Sequence, residues 1–208
     1  MIRCVIFDCD GTLVDSEFLC NLGLEMSLRE LGVESSAVEM MARFRGGKLA
    51  TILRAIEAEH DITLPEDFVP TYRALVDRLF DEQLRPCVGV PEMLDALTLQ
   101  KCVASSGPRP KIERALTVTG ILDHFSGTIY SSYDIQSWKP DPDLFLHAAD
   151  SMGFGPEKCV VVEDSLVGVE AAVRAGMVSV LYDPENLHDS TLCTHKITKM
   201  GQLVDMLR

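Results

Sequence analysis

Two hydrophobic periods alternate along this chain, and the points where one gives way to the other divide it. Residues 2–7 are dominated by Ile, Val and Phe with little polar alternation, the pattern of a short buried β-strand. From residue 16 to about residue 84 the apolar positions recur at helical spacing instead, as in Leu49, Ile52, Leu53 and Ile56, and again in Phe68, Tyr72, Leu75 and Leu79. Ser16 is placed to cap a helix over residues 16–31 that Gly32 stops, and Ser36 with Glu39 forms a capping box for a second helix ending near Phe44. The polar break R-G-G-K at residues 45–48 interrupts the helices, and no strand pattern occurs in this block. From Pro86 onward strands and helices alternate. Strands are predicted over residues 101–105, 127–131, 159–162 and 177–182, and helices near Gly89 and Pro91 and over residues 111–118, 142–152 and 165–175. Such alternation implies parallel βαβ units with right-handed crossovers. The predicted fold class is α/β: a parallel-sheet core of residues 1–14 and 86–208, with a helical block of residues 15–85 inserted after the first strand.

Composition narrows the partners. With 208 residues, 47% of them hydrophobic, the chain can bury one core and a small appended unit. A formal net charge of −13 argues against nucleic-acid and anionic-membrane partners, which need basic patches. It does not argue against phosphate ligands, because a few local cations override a distant field. No apolar run approaches the roughly 18 residues of a membrane span, and the chain enters a strand at once, so neither a span nor a signal peptide is expected. Seven cysteines without a C-x-x-C pair fit neither a disulfide nor a zinc framework, and Cys4, Cys102 and Cys159 read as small core residues. A reduced, cytoplasmic, monomeric protein is the expectation.

The predicted strand ends carry the chemistry. In an open parallel sheet, ligands collect at the carboxyl ends of the strands. The first strand runs into Asp8 and Asp10, two carboxylates one residue apart that repel unless a cation or a proton intervenes. The strand ending at residue 105 delivers Ser105, Ser106 and Gly107; the one ending at residue 162 delivers Glu163, Asp164 and Ser165; Lys139 precedes a Pro-rich turn. Taken singly, Ser105 reads equally as a helix cap, Lys139 as a solvated turn lysine and Glu163-Asp164 as first-turn acids. Together and in this order they are the parts of phosphoryl transfer. Asp8 can act as carboxylate nucleophile, Asp10 as acid and base, Asp164 with Glu163 as hard-oxygen ligands for Mg²⁺, and Ser105 and Lys139 as phosphate binders.

The runs F-D-C-D-G-T, V-A-S-S, W-K-P-D-P and V-V-V-E-D-S resemble the four motifs of the haloacid dehalogenase-like hydrolase superfamily, and the inserted helices resemble its helical cap on a Rossmann-like core. The resemblance covers essentially the whole chain and departs at Ser106, where many relatives carry asparagine. It implies Asp8 as nucleophile and Asp10 as acid/base and as a metal contact through its backbone carbonyl. Ser105, with Ser106 beside it, and Lys139 are then the phosphate binders, and Asp164 with Glu163 holds Mg²⁺. The Y-D-I-Q-S-W-K-P-D-P stretch is similar to the sugar-phosphate phosphatases of the family, which makes a sugar or sugar-acid phosphate such as 6-phosphogluconate the expected substrate. Asp10 speaks against a dehalogenase, whose halide leaves without a proton, and against a phosphonate-cleaving relative. A β-phosphoglucomutase-like mutase and a non-catalytic phospho-ligand binding protein are the alternatives. The loop at residues 45–48 corresponds to the cap loop that reads substrate, so Arg45 and Lys48 are candidates to meet a second anionic group. Arg109 is a further possible anion contact, and Trp138 is expected to pack.

Overall fold

In a computed structural model, which describes residues 1–188 and 191–208, six strands pair in parallel as one sheet. They are β1 (Cys4–Phe7), β2 (Gln100–Ser105), β3 (Ile129–Ser131), β4 (Cys159–Glu163), β5 (Val178–Tyr182) and β6 (His195–Ile197), ordered β3-β2-β1-β4-β5-β6. Alternate residues of the central strands enter different apolar layers. Val5, Phe7, Val103, Val160 and Val162 join one cluster, while Cys4, Ile6, Cys102, Ala104, Cys159 and Val161 join the other. Burial on both faces explains why these strands read as unbroken apolar runs rather than as alternating ones.

Between β1 and β2 the chain runs through α1 (Glu17–Arg29), α2 (Ala37–Phe44), α3 (Leu49–His60) and α4 (Phe68–Gln83), followed by α5 (Val90–Ala96). It leaves and returns through a narrow neck. Val14 bridges Pro86 antiparallel, Asp15 N–H donates to Arg85 O at 3.0 Å and Cys87 N–H to Leu13 O at 3.0 Å. Helices α6 (Arg109–Val118), α7 (Ser132–Ile135), α8 (Asp143–Ser151), α9 (Leu166–Arg174) and α10 (Gly201–Leu207) complete the molecule.

The helix signals act largely as anticipated. Glu39 N–H donates to Ser36 Oγ at the start of α2, and Gly32 turns the chain after α1 with φ +77°. Ser16 does not: it makes no side-chain cap bond to α1, because its hydroxyl is engaged by Asp10. β6, α7 and α10 carry too few periodic residues to be seen in the sequence. No helix among the described residues is long and apolar enough to cross a membrane.

Candidate active site

The sheet changes direction between β1 and β4, since β2 and β3 follow on one side of β1 and β4 to β6 on the other. Asp8 and Glu163-Asp164 emerge at that switch point, where an open sheet leaves a crevice beyond its strand ends. Asp8 N–H still pairs with Val162 O at 3.0 Å, so this carboxylate is held by the sheet rather than by a free loop. The chain then turns sharply at Gly11 (φ +79°), whose N–H donates to Val14 O at 2.8 Å. A side chain at Gly11 would run into the Asp164 carboxylate, so glycine there satisfies both the turn and the close approach of the two loops. Across the crevice Ser165 caps α9, its Oγ accepting from Gly168 N–H at 3.1 Å and donating to Glu163 Oε2 at 2.8 Å.

Lys139 is the buried cation of the site. Its Nζ donates to Asp8 Oδ1 at 2.5 Å and to Glu163 Oε1 at 2.6 Å. Burial opposes its charge, but the two carboxylates outweigh burial and raise its pKa. Glu163 thereby has both oxygens satisfied, one by Lys139 and the other by Ser165 N–H and Oγ. Asp164 is different: its Oδ2 is buried without a hydrogen-bond partner, and Arg45 Nε approaches it only to 3.8 Å. Burial above all, then Glu163, Glu17 and Asp8, raises the Asp164 pKa well above the ordinary range. Asp8 is likewise pushed up, to about 7, chiefly by burial and against the pull of Lys139. Asp8, Glu163 and Asp164 each offer an oxygen within 4.8 Å of the others. An orphaned buried carboxylate oxygen amid hard-oxygen donors fits a divalent cation.

Asp10 is held by a different set of donors. Its Oδ1 accepts from Ser16 Oγ at 2.5 Å and from Lys111 Nζ at 2.7 Å. Burial would raise its pKa, yet Lys111, Ser16 and Lys139 together lower it, which favours the carboxylate. Ser105 is buried and its Oγ accepts from Gly107 N–H at 3.1 Å, leaving the hydroxyl proton for a ligand. These groups line a cavity of about 390 Å³ that reaches from Asp8, Lys139 and Ser105 to α1, α3, α4 and Tyr133.

Residues 2–176 match the family model for haloacid dehalogenase-like hydrolases. The chain belongs to the haloacid dehalogenase-like hydrolase family. It is 38% identical over 203 residues to the 6-phosphogluconate phosphatase of Escherichia coli (strain K12), an alignment that covers 97% of this chain and 91% of the relative. Among solved structures, a conserved haloacid dehalogenase-like protein of unknown function from Agrobacterium tumefaciens superposes with a TM-score of 0.84. The two are 32% identical, and the superposition covers 100% of this chain and 98% of the other. A family hydrolase from Deinococcus radiodurans, solved with bound phosphate and sodium, gives a TM-score of 0.77 at 27% identity and covers 99% and 95%.

In this haloacid dehalogenase-like hydrolase Asp8, Asp10, Ser105, Ser106, Lys139, Glu163 and Asp164 line one cavity, with Lys48. Arg45 and Lys48 nevertheless point to protein partners. Arg45 faces Asp164, and Lys48 Nζ stands 3.2 Å from the centre of the Trp138 ring, which also forms a T-shaped pair with Tyr133. Trp138 packs, as expected, but on a cation. Arg109 is a surface residue paired with Asp134 at 2.8 Å. Lys111 and Ser16, which bind Asp10, and Glu17, whose charge acts on Asp164, are among the polar neighbours that sequence reasoning missed. Lys111 lies 101 positions from the carboxylate it binds, and Ser16 carries a local helix-cap signal that conceals its use.

Proposed function

We propose that this hydrolase is a Mg²⁺-dependent phosphatase that cleaves a small sugar or sugar-acid phosphate, 6-phosphogluconate above others, through an aspartyl-phosphate on Asp8. One observation carries the reading: Asp8, Lys139, Ser105 and Asp10 converge on one cavity wall at the sheet's switch point. Ser105 and Lys139 hold the phosphoryl oxygens, and an Asp8 oxygen attacks phosphorus while the bond to the ester oxygen breaks. The departing oxygen takes a proton from Asp10. A phosphate monoester has a second pKa of about 6, so its monoanion brings that proton to Asp10. Water then attacks phosphorus, Asp10 takes a proton from it, and the bond to Asp8 breaks to release phosphate. Asp8, Asp164 and the Asp10 carbonyl, with Glu163 beside them, would hold Mg²⁺, which offsets the repulsion between a carboxylate and a phosphate dianion. Residues 15–85 act as the cap, limiting water around the phosphoenzyme.

The substrate class rests on the similarity to the 6-phosphogluconate phosphatase and on Lys48 and Arg73, cavity cations that no carboxylate pairs among the described residues. The test is phosphate release from a panel of phosphomonoesters with Mg²⁺ and with EDTA. The expectation is a kcat/KM for 6-phosphogluconate about tenfold or more above that for glucose 6-phosphate, a gap of about 1.4 kcal/mol. Activity there no better than on 4-nitrophenyl phosphate contradicts the substrate assignment. No release from any ester contradicts the phosphatase reading.

A further inference from the structure

Asp10 is gripped from one side only. Among the described residues, both hydrogen bonds to its carboxylate end on Oδ1, from Ser16 Oγ at 2.5 Å and Lys111 Nζ at 2.7 Å. The other oxygen looks across a gap left by Gly107. A Cβ built on Gly107 would lie 3.5 Å from Ser105 Oγ, 3.6 Å from Lys111 Cδ and 3.8 Å from Asp10 Oδ2. Oδ2 therefore opens toward the residues of the phosphoryl cradle, and the Lys111 stem forms another side of the same space. An aspartate carboxyl has a broad, roughly two-fold torsion and by itself presents either oxygen. A hydroxyl and an ammonium on one oxygen remove that freedom.

Lys111 is itself firmly placed. It sits in the first turn of α6, three-quarters buried, with Nζ 5.8 Å from the centre of the Phe80 ring. One turn further on, Arg114 ties the same helix to α4 through ion pairs with Asp81 and Asp77. The lysine is thus carried by the core and braced by the inserted helices.

Resting on the phosphatase reading, we propose that Lys111, with Ser16, is a positioning residue: it fixes Asp10 through Oδ1, so that Oδ2 alone meets the ester oxygen of the leaving alcohol. When Oδ2 carries the proton, Oδ1 remains a carbonyl-type acceptor for the same two donors, and no partner has to change. A proton donor held this way spares the reaction the search over carboxyl orientations, and small misplacements of such groups cost up to about 10²-fold in rate.

A clamp on the acid has a signature that phosphate binding lacks. An alkoxide leaves only with a proton, whereas 4-nitrophenolate is a stable anion that departs without one. The value of kcat/KM reports the steps up to formation of the phosphoenzyme and so isolates the leaving-group proton. Lys111→Met is expected to lower kcat/KM on the best sugar phosphate by about 10- to 100-fold, up to the lower end of what general acids contribute, because the acid itself remains. On 4-nitrophenyl phosphate it changes by less than about threefold, and Lys111→Arg restores part of the loss. Ser16→Ala, which removes the second donor, is expected to repeat the selective loss at smaller size and serves if Lys111→Met does not fold. Equal losses on both substrates, or none on either, overturn the assignment. A loss on 6-phosphogluconate but not on sorbitol 6-phosphate, which lacks the carboxylate, also overturns it, because Lys111 would then read the substrate. A wild type inert toward both alkyl and aryl esters overturns the phosphatase reading and the clamp with it. A wild type active on both, with variants that lose them alike, overturns the clamp alone.

Discussion

At Gly11 two demands meet in one residue: a left-handed turn immediately after the acidic pair, and room for the Asp164 carboxylate where a side chain would otherwise stand. Gly11→Ala is expected to cost about 1–3 kcal/mol from backbone strain alone. It also displaces Asp164, so the variant should bind divalent cations more weakly even where it remains folded. Calorimetric titration with Mg²⁺ checks this; an unchanged affinity contradicts the placement of Asp164 in the metal site. The same scale shows where sequence reading succeeds and where it stops. Asp8, Asp10, Asp164 and Lys139 are legible because each sits at a strand end or turn that local patterning announces. Lys111 is not, because nothing near residue 111 reveals that its partner is Asp10. Ser16 misleads because its position is that of a helix cap while its hydroxyl serves a carboxylate. Arg45 and Lys48, read from sequence as anion contacts, meet Asp164 and the Trp138 ring in the structure, partners that no local pattern announces.

Among the elements, α9 couples stability to chemistry. Ser165 caps it and also donates twice to Glu163, through N–H and Oγ, and Glu163 in turn orients Lys139. Ser165→Ala is expected to destabilise the fold by about 1 kcal/mol as a lost cap. It should also raise KM, because Glu163 is then held by fewer donors and Lys139 loses part of its orientation. Denaturant unfolding and steady-state kinetics measure the two effects; a pure stability loss with unchanged KM contradicts the coupling. The central strands β1, β2 and β4 are legible as apolar runs because both of their faces are buried. β6 is three residues long and begins with an exposed His195 and a half-buried Lys196, so its pairing to β5 depends on the sheet already present. α10 is short, opens with glycine and has no side-chain cap. Both take their structure from tertiary contacts rather than from local propensity.

For the molecule as a whole, the inserted helices reach the core through the neck at Val14 and Pro86 and again across the cavity. There Arg45 meets Asp164, Lys48 meets Trp138 and Arg73 meets Tyr133. The acidic wall beneath them is unfavourable without a cation. Asp8 and Glu17 are raised to about 7 and Asp164 well above its ordinary value, burial leading in each case. Carboxyls with raised folded pKa values hold protons that the unfolded chain has released, so their stabilisation is complete below about pH 4 and is lost as pH rises through about 7. A divalent cation competes with those protons. The rise in Tm on adding Mg²⁺ to EDTA-treated protein should therefore grow between pH 5 and pH 8, and a pH-independent rise contradicts the metal site. The central claim is covalent: phosphate passes through Asp8. Rapid acid quench of the enzyme during turnover of a sugar phosphate, followed by peptide mass spectrometry, tests it most directly. The account predicts phosphate on the peptide containing Asp8, with none formed by Asp8→Asn. Full turnover by Asp8→Asn, or label on another residue in its place, would contradict it.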